Sequence, residues 1–128
     1  MKEFVLMFRM DITTRELQPS PEQMELYMSQ WMEWINDISA REQLVDGGNH
    51  FSYTVGKVIR PNNVITDGPY TAKKESVAGY IIILANDIDD AVIIAKKCPI
   101  LNGEGTSVEV RETATPGEMN RTKRTMNR

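Results

Sequence analysis

The chain is poor in the residues on which much protein chemistry depends. Its 128 residues hold one cysteine, Cys98, and one histidine, His50. A single cysteine excludes an internal disulfide and any multi-cysteine zinc site, and no cluster of metal-ligand residues offers an alternative, so no metal is expected. No apolar run approaches the roughly 18 residues needed to cross a bilayer, and no membrane partner is expected. The opening residues, "MKEFVLMFRMD", contain no small-residue cleavage site and read as a strand rather than a signal peptide. There is no GxGxxG pattern and no glycine loop of the kind that cradles phosphates, so no cofactor is expected. These absences point to a cytoplasmic protein.

Positive charge is also scarce over most of the chain. The net charge is −3, but residues 113–128, with Arg121, Lys123, Arg124 and Arg128 against Glu118, carry +3, which leaves −6 on the preceding 112 residues. An acidic body is a poor match for a polyanion, and no nucleic-acid partner is expected. The sequence divides into one domain over residues 1–112 and a polar basic tail over 113–128, disordered or wrapped on a partner subunit.

What is present is a regular alternation of strands and helices. "KEFVLMFRM", Lys2 to Met10, places Phe4, Leu6, Phe8 and Met10 on one face and Val5, Met7 and Arg9 on the other, as a strand does. Ser20, Pro21 and Gln23 form the signature of a helix start, with an N-cap, a proline at the first helical position and a capping-box partner. Met24, Tyr27, Met28, Trp31, Trp34, Ile35 and Ile38 then recur at helical spacing. The helix is expected to end between Arg41 and Leu44. "DGG", Asp46 to Gly48, reads as a turn, "HFSYTVGKVI", His50 to Ile59, as a second strand, and "RPNN" as a hairpin turn pairing Ile59 with Val64. "VAGYIIILA", Val77 to Ala85, is a strongly apolar strand. Asn86 or Asp87 caps a second helix that Pro99 stops, and "SVEVRE", Ser107 to Glu112, is the last strand.

The order β-α-β-β-β-α-β predicts an α+β fold on the ferredoxin-like plan, one antiparallel sheet with two helices on one face. Two of its strands are apolar on both faces, whereas a sheet with one wet face should alternate cleanly. The second face therefore needs a cover. A second copy of the chain, sheet against sheet, is the economical one, and about 800 Å² buried per partner would be an ordinary interface. A homodimer with a barrel-like core is expected.

"MKEFVLMFRM", "TDGPY", "KKESVAGYIIILANDIDDAVIIAKKCP" and "SVEVRE", taken together and at this spacing, resemble the YCII-related family in its DGPF-domain branch. The resemblance runs from about residue 2 to residue 112. It implies a dimeric α+β barrel. Small members of the family have been proposed to be enzymes with a His-Asp pair in a pocket between helix and sheet, and some members of this branch are encoded near extracytoplasmic-function sigma factors. The chain departs from the family pattern in three places. Its first helix holds no histidine, Tyr70 stands where phenylalanine is usual, and Ala72 replaces a common glutamate, leaving Glu75 as the nearby acid.

The residues themselves allow two readings of the Asp67-Gly68-Pro69-Tyr70 corner. As structure, Asp67 accepts backbone N–H groups in an Asx-turn, Gly68 supplies backbone freedom and Pro69 fixes φ. As a site, the corner aims Asp67 into a pocket as general base or ligand acceptor, with His50 as a partner if the fold brings the two together. Tyr70 packs or supplies a phenolic donor. Arg9 and Arg111, charges on otherwise apolar strands, bind an anionic ligand or pair with Glu109, Glu75 or Asp67. Cys98 reads as a small buried hydrophobe. Two functions remain open. One is a pocket for a small organic molecule between sheet and helices, with acid–base catalysis at Asp67 and His50 and binding by Arg9, Tyr70, Glu75 and Arg111. The other is a non-catalytic regulatory or interaction protein, which the resemblance would link to sigma-factor signalling.

Overall fold

A computed structural model of the chain describes residues 1–69 and 73–114, the side chain of Lys73 excepted. Tyr70, named above as a site candidate, and most of the basic tail lie outside the described residues.

Among the described residues six strands and two α-helices follow in the order β1 (Lys2–Met10), α1 (Pro21–Ala40), β2 (Leu44–His50), β3 (Lys57–Arg60), β4 (Val64–Asp67), β5 (Ser76–Ala85), α2 (Ile88–Ala95) and β6 (Ser107–Glu112). Four strands make one antiparallel sheet in the order β2-β5-β1-β6, with β3 and β4 paired as a separate hairpin. Without that hairpin the arrangement is the ferredoxin-like one, with two central strands, two edge strands and both helices on one face. The hairpin is an insertion between the two strands at one side of the sheet.

The alternation of β1 decides which face is covered. Phe4, Leu6 and Phe8 point into the helix layer and are buried, as are Ile81, Ile83 and Ala85 on β5. They meet Trp31, Trp34 and Ile38 of α1, Ala91 and Ala95 of α2, and Cys98 and Ile100 beyond it. Aromatic edges fill the centre, with ring centroids of Phe8 and Trp31 4.8 Å apart and of Trp31 and Trp34 5.2 Å apart. On the opposite face Val5, Met7, Tyr80, Ile82 and Leu84 remain only half-buried.

Both helices start as their sequences dictate. Ser20 Oγ accepts the Gln23 amide at 3.2 Å while the Ser20 amide donates to Gln23 Oε1 at 2.8 Å, with Pro21 at the first position. Asp87 caps α2 by accepting the Asp90 amide at 2.8 Å. Between β1 and α1, the buried Asp11 carboxylate gathers the amides and hydroxyls of both Thr13 and Thr14 at 2.6 to 2.9 Å.

The second strand differs from the sequence expectation. Asp46 to Gly48 lie inside β2, and the strand ends at His50 where it was expected to begin. The "DGG" segment is a bulged part of the strand, with register breaks on both sides of Asp46. Gly48 has a φ of 61°, and a Cβ there would fall 1.6 Å from the Tyr80 carbonyl oxygen. The glycine allows β2 to approach β5, a role that resembles a turn in sequence.

Candidate functional site

The DGPY corner is built from β3, β4 and the chain that leads into them. Arg60 pairs with Val64 around the short loop Pro61–Asn63, in which Asn62 and Asn63 both adopt positive φ, 68° and 59°. Asparagine is among the few non-glycine residues that enter this region readily. The loop is one residue tighter than the Ile59–Val64 pairing expected from sequence, so every partner shifts by one. Lys57 then stands opposite Asp67 rather than opposite Thr66.

That shift decides what Asp67 does. Its carboxylate takes the ammonium of Lys57, and both side chains are exposed. Pro69 has no N–H, so the donor that an Asx-turn at Asp67 needs would come from Tyr70, outside the described residues. The Gly68 amide donates to the Gly56 carbonyl at 2.9 Å. The two glycine backbones lie so close that a Cβ on Gly68 would sit 3.1 Å from the Gly56 carbonyl carbon. The Gly68–Pro69 peptide is cis.

Beside this corner is a cleft of about 560 Å³. Its wall comprises His50 at the end of β2, Phe51, Ser52, Val55 and Gly56 in the following connection, Lys57, Val58 and Ile59 of β3, Pro69, and Val77 at the start of β5. The expected location, between sheet and helices, is occupied by the Phe8, Trp31 and Trp34 side chains. The cleft lies instead between the inserted hairpin and the end of the sheet.

His50 links the cleft to the helix layer. Its ring lies 5.0 Å, centroid to centroid, from that of Trp31. His50 is an exposed residue at the strand end, and the partial desolvation of its ring lowers its pKa below the usual histidine value, so the imidazole is neutral at physiological pH and able to accept a proton. The structure does not bring His50 and Asp67 together. His50 lines the cleft, whereas Asp67 lies outside the wall and is engaged by Lys57.

The remaining candidates are dispersed. Arg9 donates to Glu109 Oε1 from Nε at 3.3 Å and from a terminal nitrogen at 3.1 Å, and also donates to the Glu75 backbone carbonyl at 3.0 Å. Of the pairings considered for this arginine, the geometry selects Glu109. Glu75 is exposed and contributes its backbone rather than its carboxylate. Arg111 lies on the edge strand β6 opposite Val5, on the half-covered face and away from the cleft.

Lys57, Phe51 and Val58 were not singled out by the sequence. The legible clue was the Asn62-Asn63 pair, since two successive residues tolerant of positive φ imply the tighter loop and hence the Lys57–Asp67 register. Among the described residues no group of three histidine, cysteine, aspartate or glutamate side chains could hold a metal ion. No described helix is long and apolar enough to cross a membrane.

An antiparallel α+β sheet with ferredoxin-like strand order, an inserted hairpin and a cleft beside it defines the class. The YCII-related domain model matches residues 7–114. The chain belongs to that family. No curated protein matches the sequence. Among solved structures it is similar to the 5-chloro-2-hydroxyhydroquinone dehydrochlorinase of Burkholderia phenoliruptrix, determined in complex with 2,5-dihydroxybenzoquinone. The identity is 14%, the TM-score is 0.46, and the match covers 89% of this chain and 96% of the other.

Proposed function

We propose that this protein is a cytoplasmic homodimer that binds a small organic molecule in the cleft beside the β3–β4 hairpin, with His50 as the proton acceptor at its inner wall. The observation that carries this reading is the position of the only histidine. It lies in the wall of a 560 Å³ cleft, within the range of small-molecule sites, with mostly apolar neighbours. Partial desolvation favours its neutral form, the state a general base requires. Asp67 acts on the site through Lys57 rather than as a base of its own.

The dimer rests on the uncovered sheet face. Val5, Met7, Tyr80, Ile82 and Leu84 form an apolar strip across the two central strands, and both helices pack on the other side. A second copy placed sheet to sheet would cover it.

One observation favours the alternative of a protein-interaction module. The hairpin and the connection before it present Val55, Ile59 and Ile65 to solvent, at 82%, 70% and 61% exposure. The two readings separate on amide NMR with a library of small organic molecules. The cleft reading expects saturable shifts at His50, Gly56, Val58 and Val77. If no compound moves these residues, the cleft is not a ligand site and the interaction reading gains.

A further inference from the structure

Among the described residues the cleft wall carries one charge, the Lys57 ammonium. Among the described residues the wall holds His50 and Lys57 and no carboxylate. The undescribed residues just after Pro69, Tyr70 to Ala72, contain no acid either. This is unusual placement for a chain whose first 112 residues carry −6. Apart from Ser52 and Gly56 the rest of the wall is apolar, with Phe51, Val55, Val58, Ile59, Pro69 and Val77. The nearby acid, Asp67, is outside the wall and occupied by Lys57.

We infer that the ligand is an organic anion with an apolar body, a carboxylate or phenolate class of molecule, and that its negative group takes the Lys57 ammonium from Asp67. This inference rests on the cleft being a small-molecule site. The Lys57–Asp67 pair is suited to the exchange. Its side chains are 65% and 89% exposed, and an ion pair between exposed partners is weak and easily replaced. Lysine carries its charge on a flexible four-carbon stem with rotatable donors, so the ammonium can turn from the hairpin surface to the cleft mouth without moving β3. An anion at the mouth then gains a charge-assisted hydrogen bond, while its body covers Val58 and Val77. Asp67 therefore competes with the ligand. It keeps the cation in place when the cleft is empty and sets a threshold for what displaces it. This differs from a general base or a ligand-binding acid, the roles its sequence context suggests.

The competition predicts effects of opposite sign for the two partners. The probes are 1-naphthoate and its neutral isostere 1-naphthamide, titrated calorimetrically with amide NMR to locate binding. The native protein is expected to bind naphthoate about tenfold more tightly than naphthamide. Lys57→Met should abolish that preference, while Lys57→Arg retains it. Asp67→Asn should tighten naphthoate binding by up to about fivefold, because the cation no longer has to be taken from a partner. Both side chains are exposed, and retained amide spectra establish that the hairpin is intact in the variants. Equal binding of the two probes, with shifts at the cleft and no response to Lys57→Met, overturns the inference and leaves the small-molecule reading in place. Weaker naphthoate binding by Asp67→Asn also overturns it, since Asp67 would then hold the ligand or the lysine in its binding position. If neither probe shifts the cleft residues, the small-molecule reading fails and the inference falls with it.

Discussion

The carboxylate of Asp67 is held by the ammonium of Lys57, the residue directly opposite it in the β3–β4 ladder. This contact engages the acid of the DGPY corner at the hairpin surface, outside the cleft wall that His50 lines. Among the described residues the cleft next to it has Lys57 as its one charged wall residue, in a mostly apolar lining. Its consequences, and those of the core around it, can be measured.

His50 is the chain's only imidazole, so its titration is a single resolvable signal. Partial desolvation beside Trp31 should place its midpoint below 6.5 in a proton–carbon correlation titration. The folded value is depressed, so the associated stability is present above the unfolded midpoint and is lost as pH falls through the folded one. Trp31→Ala, by opening the site to water, should move the midpoint upward toward the unperturbed value. A native midpoint at or above 6.5 would contradict the desolvation of the ring by Trp31.

Asp11 should govern acid stability at the loop before α1. Four hydrogen bonds from Thr13 and Thr14, the Thr14 hydroxyl foremost, hold its carboxyl well below the usual range. Its contribution is full above the unfolded value near 4 and disappears as pH falls through the lower folded value. Thermal melts of Asp11→Ala should therefore lie below those of the native protein by a constant margin above about pH 5 and converge with them in strong acid. A margin independent of pH down to the lowest value would assign the effect to packing.

Cys98 should be chemically silent in the folded state. Burial in the core pushes its thiol pKa up to about 12, and the thiolate is the reactive form. Iodoacetamide at pH 8 should leave it unmodified by mass spectrometry over hours and alkylate it fully in denaturant. Rapid alkylation without denaturant would show that the core opens around α2.

Ile82 lies at the centre of the half-covered sheet face, between Val5 on β1 and Asp46 on β2. In a sheet-to-sheet dimer, Ile82→Glu buries an unpaired charge and should raise the dimer dissociation constant at least about a hundredfold. Sedimentation velocity should show dimer for the native chain and monomer for the variant at the same concentration, with unchanged circular dichroism. A native monomer at micromolar concentration would refute the dimer.

Trp34 carries the core and a hydrogen bond together. Its indole N–H donates to the Ile94 carbonyl at 3.2 Å, and its ring packs edge-on to Phe8. Trp34→Ala should cost about 3–5 kcal/mol in urea denaturation. Trp34→Phe should cost less, since it keeps most of the buried area but loses the donor.

Local chemistry in the sequence determined the elements that depend on near neighbours. Ser20, Pro21 and Gln23 start α1, Asp87 starts α2, and the alternation of Phe4, Leu6 and Phe8 against Val5 and Met7 makes β1 a strand with two unequal faces. These are interactions over four residues or fewer, or a period of two, and they are legible without a fold. The same regularities yielded the alternation of elements along the chain and the placing of both helices on one face, but not the separation of the β3–β4 hairpin from the main sheet. The site was less legible because it depends on contacts distant in sequence. Gly48 reads as a turn until Tyr80 is placed against it, and then only the missing Cβ lets the strand continue. Asp67 reads as an acid aimed at a pocket until a one-residue difference in register sets Lys57 opposite it. His50 reads as a solitary polar residue until the sheet brings it to Trp31 on one side and to Val77 and Pro69 on the other. Backbone propensity is written along the chain, but the charge of a cleft is the sum of residues that only folding assembles.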